Sequence, residues 1–282
     1  MIRFVIPAYN EVENIPALMA DLGPRAAALG ARIIFVDDGS TDGTAEAIEE
    51  HRDGLHLAIV RHRVNRGLGT AINSGLRAAL GEASDDDAIV TMEADNTSDL
   101  DDLPRMMERF AAGSDIVLAS VYAPGGEIIG VARWRLAASR AVSNTFRWIG
   151  GLEEIHTLSS LFRVYRAGTL RRAAETYGYL LVREPGFAAN VELLLKLYNA
   201  GANVAEVPTV NDWSKRQGVS KMSLRPTMLA YGRLVAAQLV GRIQPPPMSP
   251  LDELSPTPAL ASPQRARALQ ARPERAELPA AR

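Results

Sequence analysis

The sequence predicts an α/β protein built on a mostly parallel, Rossmann-like sheet flanked by helices. Strand and helix patterns alternate from the first residues, the signature of βαβ units with right-handed crossovers. The strands read as continuous apolar runs, Ile33-Ile34-Phe35-Val36 and Ile89-Val90-Thr91-Met92, as expected of a sheet buried on both faces. These runs deliver carboxylates, Asp37-Asp38 and Glu93-Ala94-Asp95, to the strand ends where open α/β sheets bind ligands.

Residues 2–6 form the first strand, an apolar run closed by Pro7, and 14–29 the first helix. A strand at 32–36 and a helix at 41–50 follow, with Ser40 or Thr41 available as cap. After a strand at 56–60, Gly67-Leu68-Gly69 turns the chain into a helix over 68–80. Next come a strand at 88–92, a helix at 99–110 with Asp99, Asp101 and Asp102 in its first turn, and a strand at 115–119. Beyond this the alternation loosens. Ala123-Pro124-Gly125-Gly126 marks a turn, and 133–149 reads as an amphipathic helix with basic residues at 133, 135, 140 and 147. A strand at 161–165, a helix at 187–200 stopped by Gly201 and a strand at 204–207 complete a domain over 1–224. Residues 225–243 carry a broad apolar face including Met228, Leu229, Leu234 and Leu239, suited to packing on the core or lying on a membrane surface. Nine of the seventeen prolines fall in 244–282, which is expected to be a disordered tail.

A chain of 282 residues with 47% hydrophobic content buries a substantial core. Its net charge of -2 and pI of about 6.1 provide no basic field, which excludes nucleic acid as the expected partner. The absence of cysteine excludes disulfides, thiolate metal sites and cysteine nucleophiles. Met1 leads into an apolar run without a basic leader or cleavage site, which points to the cytoplasm. No stretch approaches the roughly 20 apolar residues of a spanning helix.

Two hard oxygen ligands one residue apart, Glu93 and Asp95, suit Mg²⁺ or Mn²⁺ and leave coordination positions for a diphosphate. Glu93 is one methylene longer and would act through water; Asp95 would bind directly. Thr97 is a poorer ligand and an equally good helix cap. No Gly-x-Gly-x-x-Gly turn follows the first strand, which argues against a nicotinamide or flavin enzyme, and no glycine-rich triphosphate loop with its lysine appears. Gly67 and Gly69 offer backbone N–H groups at a helix N-terminus, where the dipole favours anions. Lys215, Arg216 and Lys221 around Gly218 suit a loop that closes over a pyrophosphate or an acceptor phosphate. Asp85-Asp86-Asp87 reads as a solvated loop.

In their order, Val5-Ile6-Pro7-Ala8-Tyr9-Asn10-Glu11, Val36-Asp37-Asp38-Gly39-Ser40-Thr41-Asp42-Gly43-Thr44 and Arg66-Gly67-Leu68-Gly69 resemble family 2 glycosyltransferases of the GT-A fold. Lys215-Arg216-Gln217-Gly218-Val219-Ser220-Lys221 is similar to the Arg-x-x-Gly-x-Ser-Lys pattern of the dolichyl- and polyprenyl-phosphate mannose and glucose synthases. The resemblance implies that Pro7, Tyr9 and Glu11 line a base and ribose pocket, with Asp37, Asp38, Gly67, Gly69 and Ala94 beside them and Asp38 accepting from the nucleoside. It implies a metal at Glu93, Asp95 and Thr97, catalytic roles for Asp95, Arg216 and Lys221, and acceptor-phosphate contacts from Arg133, Arg163, Lys215, Arg216 and Lys221.

The chain departs from that family where Asp-x-Asp becomes Glu93-Ala94-Asp95, and where Asp-x-Thr-Ser-Gly-Phe-Arg becomes Thr157-Leu158-Ser159-Ser160-Leu161-Phe162-Arg163. A hydroxyl acceptor needs a general base, whereas a phosphate monoester is already an anion, so the lost carboxylate favours a phosphate acceptor. Glu154, His156 or Glu192 remains as an alternative base. The expected activity is metal-dependent, inverting transfer of a hexose from a nucleotide diphosphate sugar to a polyprenyl phosphate, using Mg²⁺ or Mn²⁺. The rivals are transfer to a hydroxyl on a small molecule or glycan, and a catalytically silent nucleotide-binding scaffold. A lipid acceptor requires contact with the cytoplasmic face of a membrane, through 225–243, 133–149 or a membrane-protein partner.

Overall fold

The computed structural model describes residues 1–131, 133–218, 224–241 and 243, apart from the side chains of 133–135, 138, 142, 149, 150 and 224. The expected disordered tail, 244–282, and Lys221 lie outside the described residues. Strands β1 (Ile2–Ala8), β2 (Arg32–Asp37), β3 (His56–Arg61), β4 (Ala88–Thr91), β5 (Ile116–Ser120), β7 (Arg163–Arg166) and β8 (Val204–Pro208) form one sheet in the order β3-β2-β1-β4-β7-β5-β8. All neighbours in it are parallel except β4–β7 and β7–β5, which are antiparallel. β6 (Glu127–Ile129) and β9 (Val210–Asp212) form a separate parallel pair.

Successive strand residues face opposite sides, so β1 divides its side chains between two cores. Val5 packs with Ile34, Ile72, Leu76 and Ile89 on one face, which carries α3 (Leu68–Leu80), α6 (Ala167–Tyr177) and α7 (Ala189–Asn199). Phe4 and Ile6 pack with Leu18, Leu22, Phe35 and Met106 on the other, beneath α1 (Ile15–Ala28), α2 (Thr44–Glu50) and α4 (Leu103–Ala111). Burial of each such side chain stabilises the fold by roughly 1.5–3 kcal/mol. Gly75 lets α3 approach the sheet, because a Cβ there would collide with Val5 and Val36.

Helix α8 (Leu224–Leu239) packs on α5 (Arg133–Gly150) and α7. Ala230 and Leu234 are buried, and Tyr231 meets Phe146 edge to face at 6.3 Å. Leu229, Leu239 and Val240 face outward, 60–68% exposed.

The structure adds elements that the periodicity conceals. β7 runs against its neighbours, although its apolar run would look the same in either direction. β6 and β9 are three residues each, too short for alternation to register. Asp87 is not part of a solvated loop: it is 9% exposed and binds the Met1 ammonium at 2.5 Å and Arg3 Nη1 at 2.6 Å. Only Asp85 and Asp86 of that run are exposed, pairing with Arg171 and Arg166.

Candidate active site

The spatial order β2-β1-β4 places β1 where the sheet's strand order switches direction, and ligands of open α/β sheets bind beyond strand ends at such a point. There the structure has a pocket of about 410 Å³. Pro7, Tyr9 and Glu11 from β1's end, Asp38 from β2's end, and Glu93, Ala94 and Asp95 after β4 all line it, with Gly67 and Arg216. Leu68, Leu161, Phe187, Pro226 and Ala230 give it apolar wall as well.

The two carboxylates after β4 occupy different environments. Glu93 is engaged on both oxygens, Oε1 accepting from the Leu161 N–H at 3.1 Å and Oε2 from the Ser98 hydroxyl at 2.7 Å. Burial, with the Asp95 charge adding to it, raises the Glu93 pKa above the usual carboxylate range. Asp95 Oδ1 accepts from the Thr97 N–H at 3.2 Å and its hydroxyl at 2.7 Å. Asp95 Oδ2 points into the pocket, 3.2 Å from Arg216 Nη1. Among the described residues no group of three or more His, Asp or Glu side chains gathers to hold a metal. One carboxylate with diphosphate oxygens and waters is nevertheless the way Mg²⁺ usually binds. Asp95 Oδ2 already holds a cationic group, so this oxygen fits a divalent ion, whereas both Glu93 oxygens are engaged within the protein.

Several expected site residues do other work. Thr97 is 5% exposed and donates its hydroxyl proton to Asp95 Oδ1, which orients that carboxylate. Asp37 is 5% exposed and absent from the pocket wall; its Oδ1 accepts from the Ser40 N–H at 2.9 Å, closing its own turn. Asp38 borders the pocket but accepts from the Arg66 and Gly67 N–H groups at 3.0 and 2.8 Å and contacts His62 Nδ1 at 2.6 Å. It anchors the loop that enters α3. The Gly67 N–H is therefore spent on Asp38, and the Gly69 N–H on the Pro185 carbonyl at 3.1 Å. Neither donor awaits an anion. These glycines permit close approach, because a Cβ at Gly67 or Gly69 would strike the carbonyl oxygen of Pro185 or Glu184.

Arg163 is fully buried and donates to the Leu158 and Asn190 carbonyls at 2.6 and 2.8 Å. It braces the β7 region and cannot reach an acceptor phosphate. Lys215 is exposed and outside the pocket, whereas Arg216 lines it. The side chain of Arg133 lies outside the described residues, as does Lys221. None of the alternative bases lines the pocket. His156 Nδ1 pairs with Glu206 at 2.7 Å, Glu192 binds Lys196 at 2.6 Å and the Arg183 and Glu184 N–H groups, and Glu154 is exposed. Thr157 is 2% exposed, its hydroxyl accepting from Ser120 and the Tyr122 N–H.

Polar pocket residues that sequence reasoning did not place at the site include Asn65, Glu184, Asn190, Thr227 and Arg233. Glu184 and Arg233 pair at 3.0 Å on the pocket wall. They lie far apart in sequence, and neither sits in a motif that could have flagged it.

Comparison with known proteins identifies the family and the fold. Residues 4–172 match Glycosyl transferase family 2. Polyprenol monophosphomannose synthase of Mycolicibacterium smegmatis is 32% identical over 224 residues, covering 78% of this chain and 80% of that protein. Undecaprenyl-phosphate mannosyltransferase of Micrococcus luteus is also 32% identical, covering 78% and 86%. Glucosyl-3-phosphoglycerate synthase from Mycobacterium tuberculosis, solved with Mn²⁺, UDP and glucosyl-3-phosphoglycerate, superposes with a TM-score of 0.61 at 19% identity, covering 88% of this chain and 81% of that one. At that identity the likeness shows a shared fold, the mostly parallel GT-A type. The chain belongs to glycosyl transferase family 2 and is a glycosyltransferase.

Proposed function

We propose that the protein transfers a hexose from a nucleotide diphosphate sugar to a polyprenyl phosphate, with Mg²⁺ or Mn²⁺ and inversion at the anomeric carbon. The observation that carries this reading is a pocket whose wall combines charged residues from the sheet switch point with apolar ones, Pro226 and Ala230 of α8 among them. Among the described residues five carboxylates and two arginines border it, Glu11, Asp38, Glu93, Asp95 and Glu184 against Arg216 and Arg233. An anionic donor entering such a wall needs added positive charge. Asp95 would hold the divalent ion, which supplies that charge and acts as a Lewis acid on the leaving diphosphate. Tyr9 and Glu11 would border the nucleoside, and Arg216 would meet phosphate oxygens as a fork of N–H donors.

Among the described residues, none of Glu154, His156 and Glu192 lines the pocket, and Glu184, which does, is paired with Arg233. A phosphate acceptor needs no general base. Its oxygen would attack the anomeric carbon in line with the departing diphosphate, and a single displacement inverts the configuration. The relatives named for polyprenol and undecaprenyl phosphate support this acceptor class. Among the described residues no helix is long and apolar enough to cross a membrane. The enzyme would meet its lipid by peripheral contact, through the outward Leu229 and Leu239 of α8 and Val240 just after it or through a membrane-protein partner, at the cytoplasmic face.

The test is a panel of radiolabelled GDP and UDP sugars with extracted polyprenyl phosphate, with Mn²⁺ or with chelator. Organic-extractable label that disappears with the chelator is expected. Label transferred only to hydroxyl acceptors, or none under any condition, would overturn the reading.

A further inference from the structure

Asn14 occupies a position where asparagine ordinarily caps its own helix, yet it does not. At the N-cap of α1 (φ -90°, ψ -25°) its side chain makes no capping bond. The amide is 2% exposed and reaches across the fold instead. Its Oδ1 accepts from the Gln217 N–H at 3.0 Å, and its Nδ2 donates to the Gln217 carbonyl at 3.2 Å and to Glu11 Oε2 at 2.6 Å. The Asn14 carbonyl in turn accepts from Asn96 Nδ2 at 2.9 Å. A primary amide that takes both main-chain groups of one residue acts as a strand partner would, fixing that backbone in place and direction. The gripped residue directly follows Arg216, whose guanidinium lies 3.2 Å from Asp95 Oδ2 with both side chains nearly buried. This is the oxygen to which the proposed function assigns the divalent ion.

We propose that Asn14 is a positioning residue for Arg216: by fixing the Gln217 backbone it holds the guanidinium against Asp95, where it competes with a divalent cation for Oδ2. The inference rests on the reading of Asp95 as the metal ligand. Two cations cannot share one carboxylate oxygen at contact distance without mutual repulsion. Because the clamp grips main chain, Arg216 can turn from Asp95 towards phosphate oxygens by side-chain rotation alone. Positive charge then reaches Asp95 from the ion and the diphosphate from the arginine.

The experiment is Mn²⁺ binding to the full chain, followed by the electron spin resonance of the free ion, without nucleotide and with GDP or UDP. Arg216→Ala should tighten nucleotide-free Mn²⁺ binding by about tenfold, the order expected for removing one like charge beside the site. Asn14→Ala should tighten it several-fold. The double variant should bind no tighter than Arg216→Ala, because Asn14 acts only through the guanidinium. A purely structural asparagine would lower the melting temperature and leave Mn²⁺ affinity unchanged, which overturns the inference. Should Asn14→Ala fail to fold, Gln217→Pro removes the N–H that Oδ1 accepts without touching the buried amide. Arg216, at φ -73° and ψ 134°, already has the conformation that precedes proline. Unchanged affinity in Gln217→Pro, beside tightened binding in Arg216→Ala, would also defeat the inference while leaving Asp95 as the ligand. No Mn²⁺ binding by Arg216→Ala, with nucleotide or without, would remove the metal reading of Asp95 and the inference together.

Discussion

Asp95 and Glu93 stand one residue apart and carry the same charge in sequence, yet the fold assigns them different tasks. Glu93 spends both oxygens on the Leu161 N–H and the Ser98 hydroxyl, whereas Asp95 keeps Oδ2 on the pocket against Arg216. Asp95→Asn should therefore lower kcat/KM by on the order of 10²-fold or more. Glu93→Gln, which can still accept from one partner and donate to the other, should stay within about tenfold of the wild type. Steady-state kinetics on both variants checks the ordering, and the reverse order would contradict the assignment. Arg163 shows how a motif residue can be misread. Its position in the family pattern suggests a phosphate contact, but its guanidinium is sealed among backbone carbonyls. Arg163→Met should cost roughly 2–4 kcal/mol by urea denaturation, because buried acceptors lose charged donors. At temperatures where the variant remains folded, its KM for acceptor should not change.

Glycines and helix faces carry the argument at the level of elements. The turn into α3 works by close approach: Gly69 leaves room for the Glu184 carbonyl, and the segment from 184 to 188 then forms the pocket's wall. Gly69→Ala should displace that wall, lowering both melting temperature and donor affinity, as thermal unfolding with and without nucleotide would show. On α8, Ala230 and Leu234 face the core while Leu229 faces outward, as does Val240 immediately after the helix. Leu229→Glu together with Val240→Glu should abolish co-sedimentation with anionic vesicles while changing stability by no more than about 0.5 kcal/mol per site. Retained vesicle binding would remove α8 as the contact. Most elements were legible to within a few residues because apolar spacing reports which face is buried. The helix at Ala167–Tyr177 was not. Its buried face is largely Ala167, Gly168, Ala173 and Ala174, too weakly apolar to stand out, and Gly168 sits there because a Cβ would crowd Asp85.

For the whole molecule, Asp87 ties the start of β1 to the loop before β4. Burial opposes its charge, but the Met1 ammonium, the Ser84 N–H and Arg3 outweigh that and hold its pKa down at about 2. The folded value lies below the unfolded one of about 4. Its contribution is thus complete above pH 4 and lost as pH falls towards 2. Asp87→Asn should be less stable than the wild type at pH 7 by at most about 2 kcal/mol. That gap should close between pH 4 and 2, as urea unfolding at several pH values would reveal. A gap that persisted at pH 2 would mean Asp87 acts through shape and not charge.

The order of strands and helices, the delivery of carboxylates to one sheet edge and the kinship of the pocket's first wall were determined by the sequence alone. Local periodicity and short motifs encode them, and both are properties of neighbouring residues. Only the tertiary structure decided which polar groups remain available. Asp37, Thr97, Gly69 and Arg163 look like site residues in the chain, but each has its hydrogen-bonding capacity satisfied or its surface covered by a partner in the fold. Asn14 looks like a helix cap and instead grips Gln217, 203 residues away. A buried polar group must find a partner wherever the fold supplies one, and no local pattern says where that partner lies.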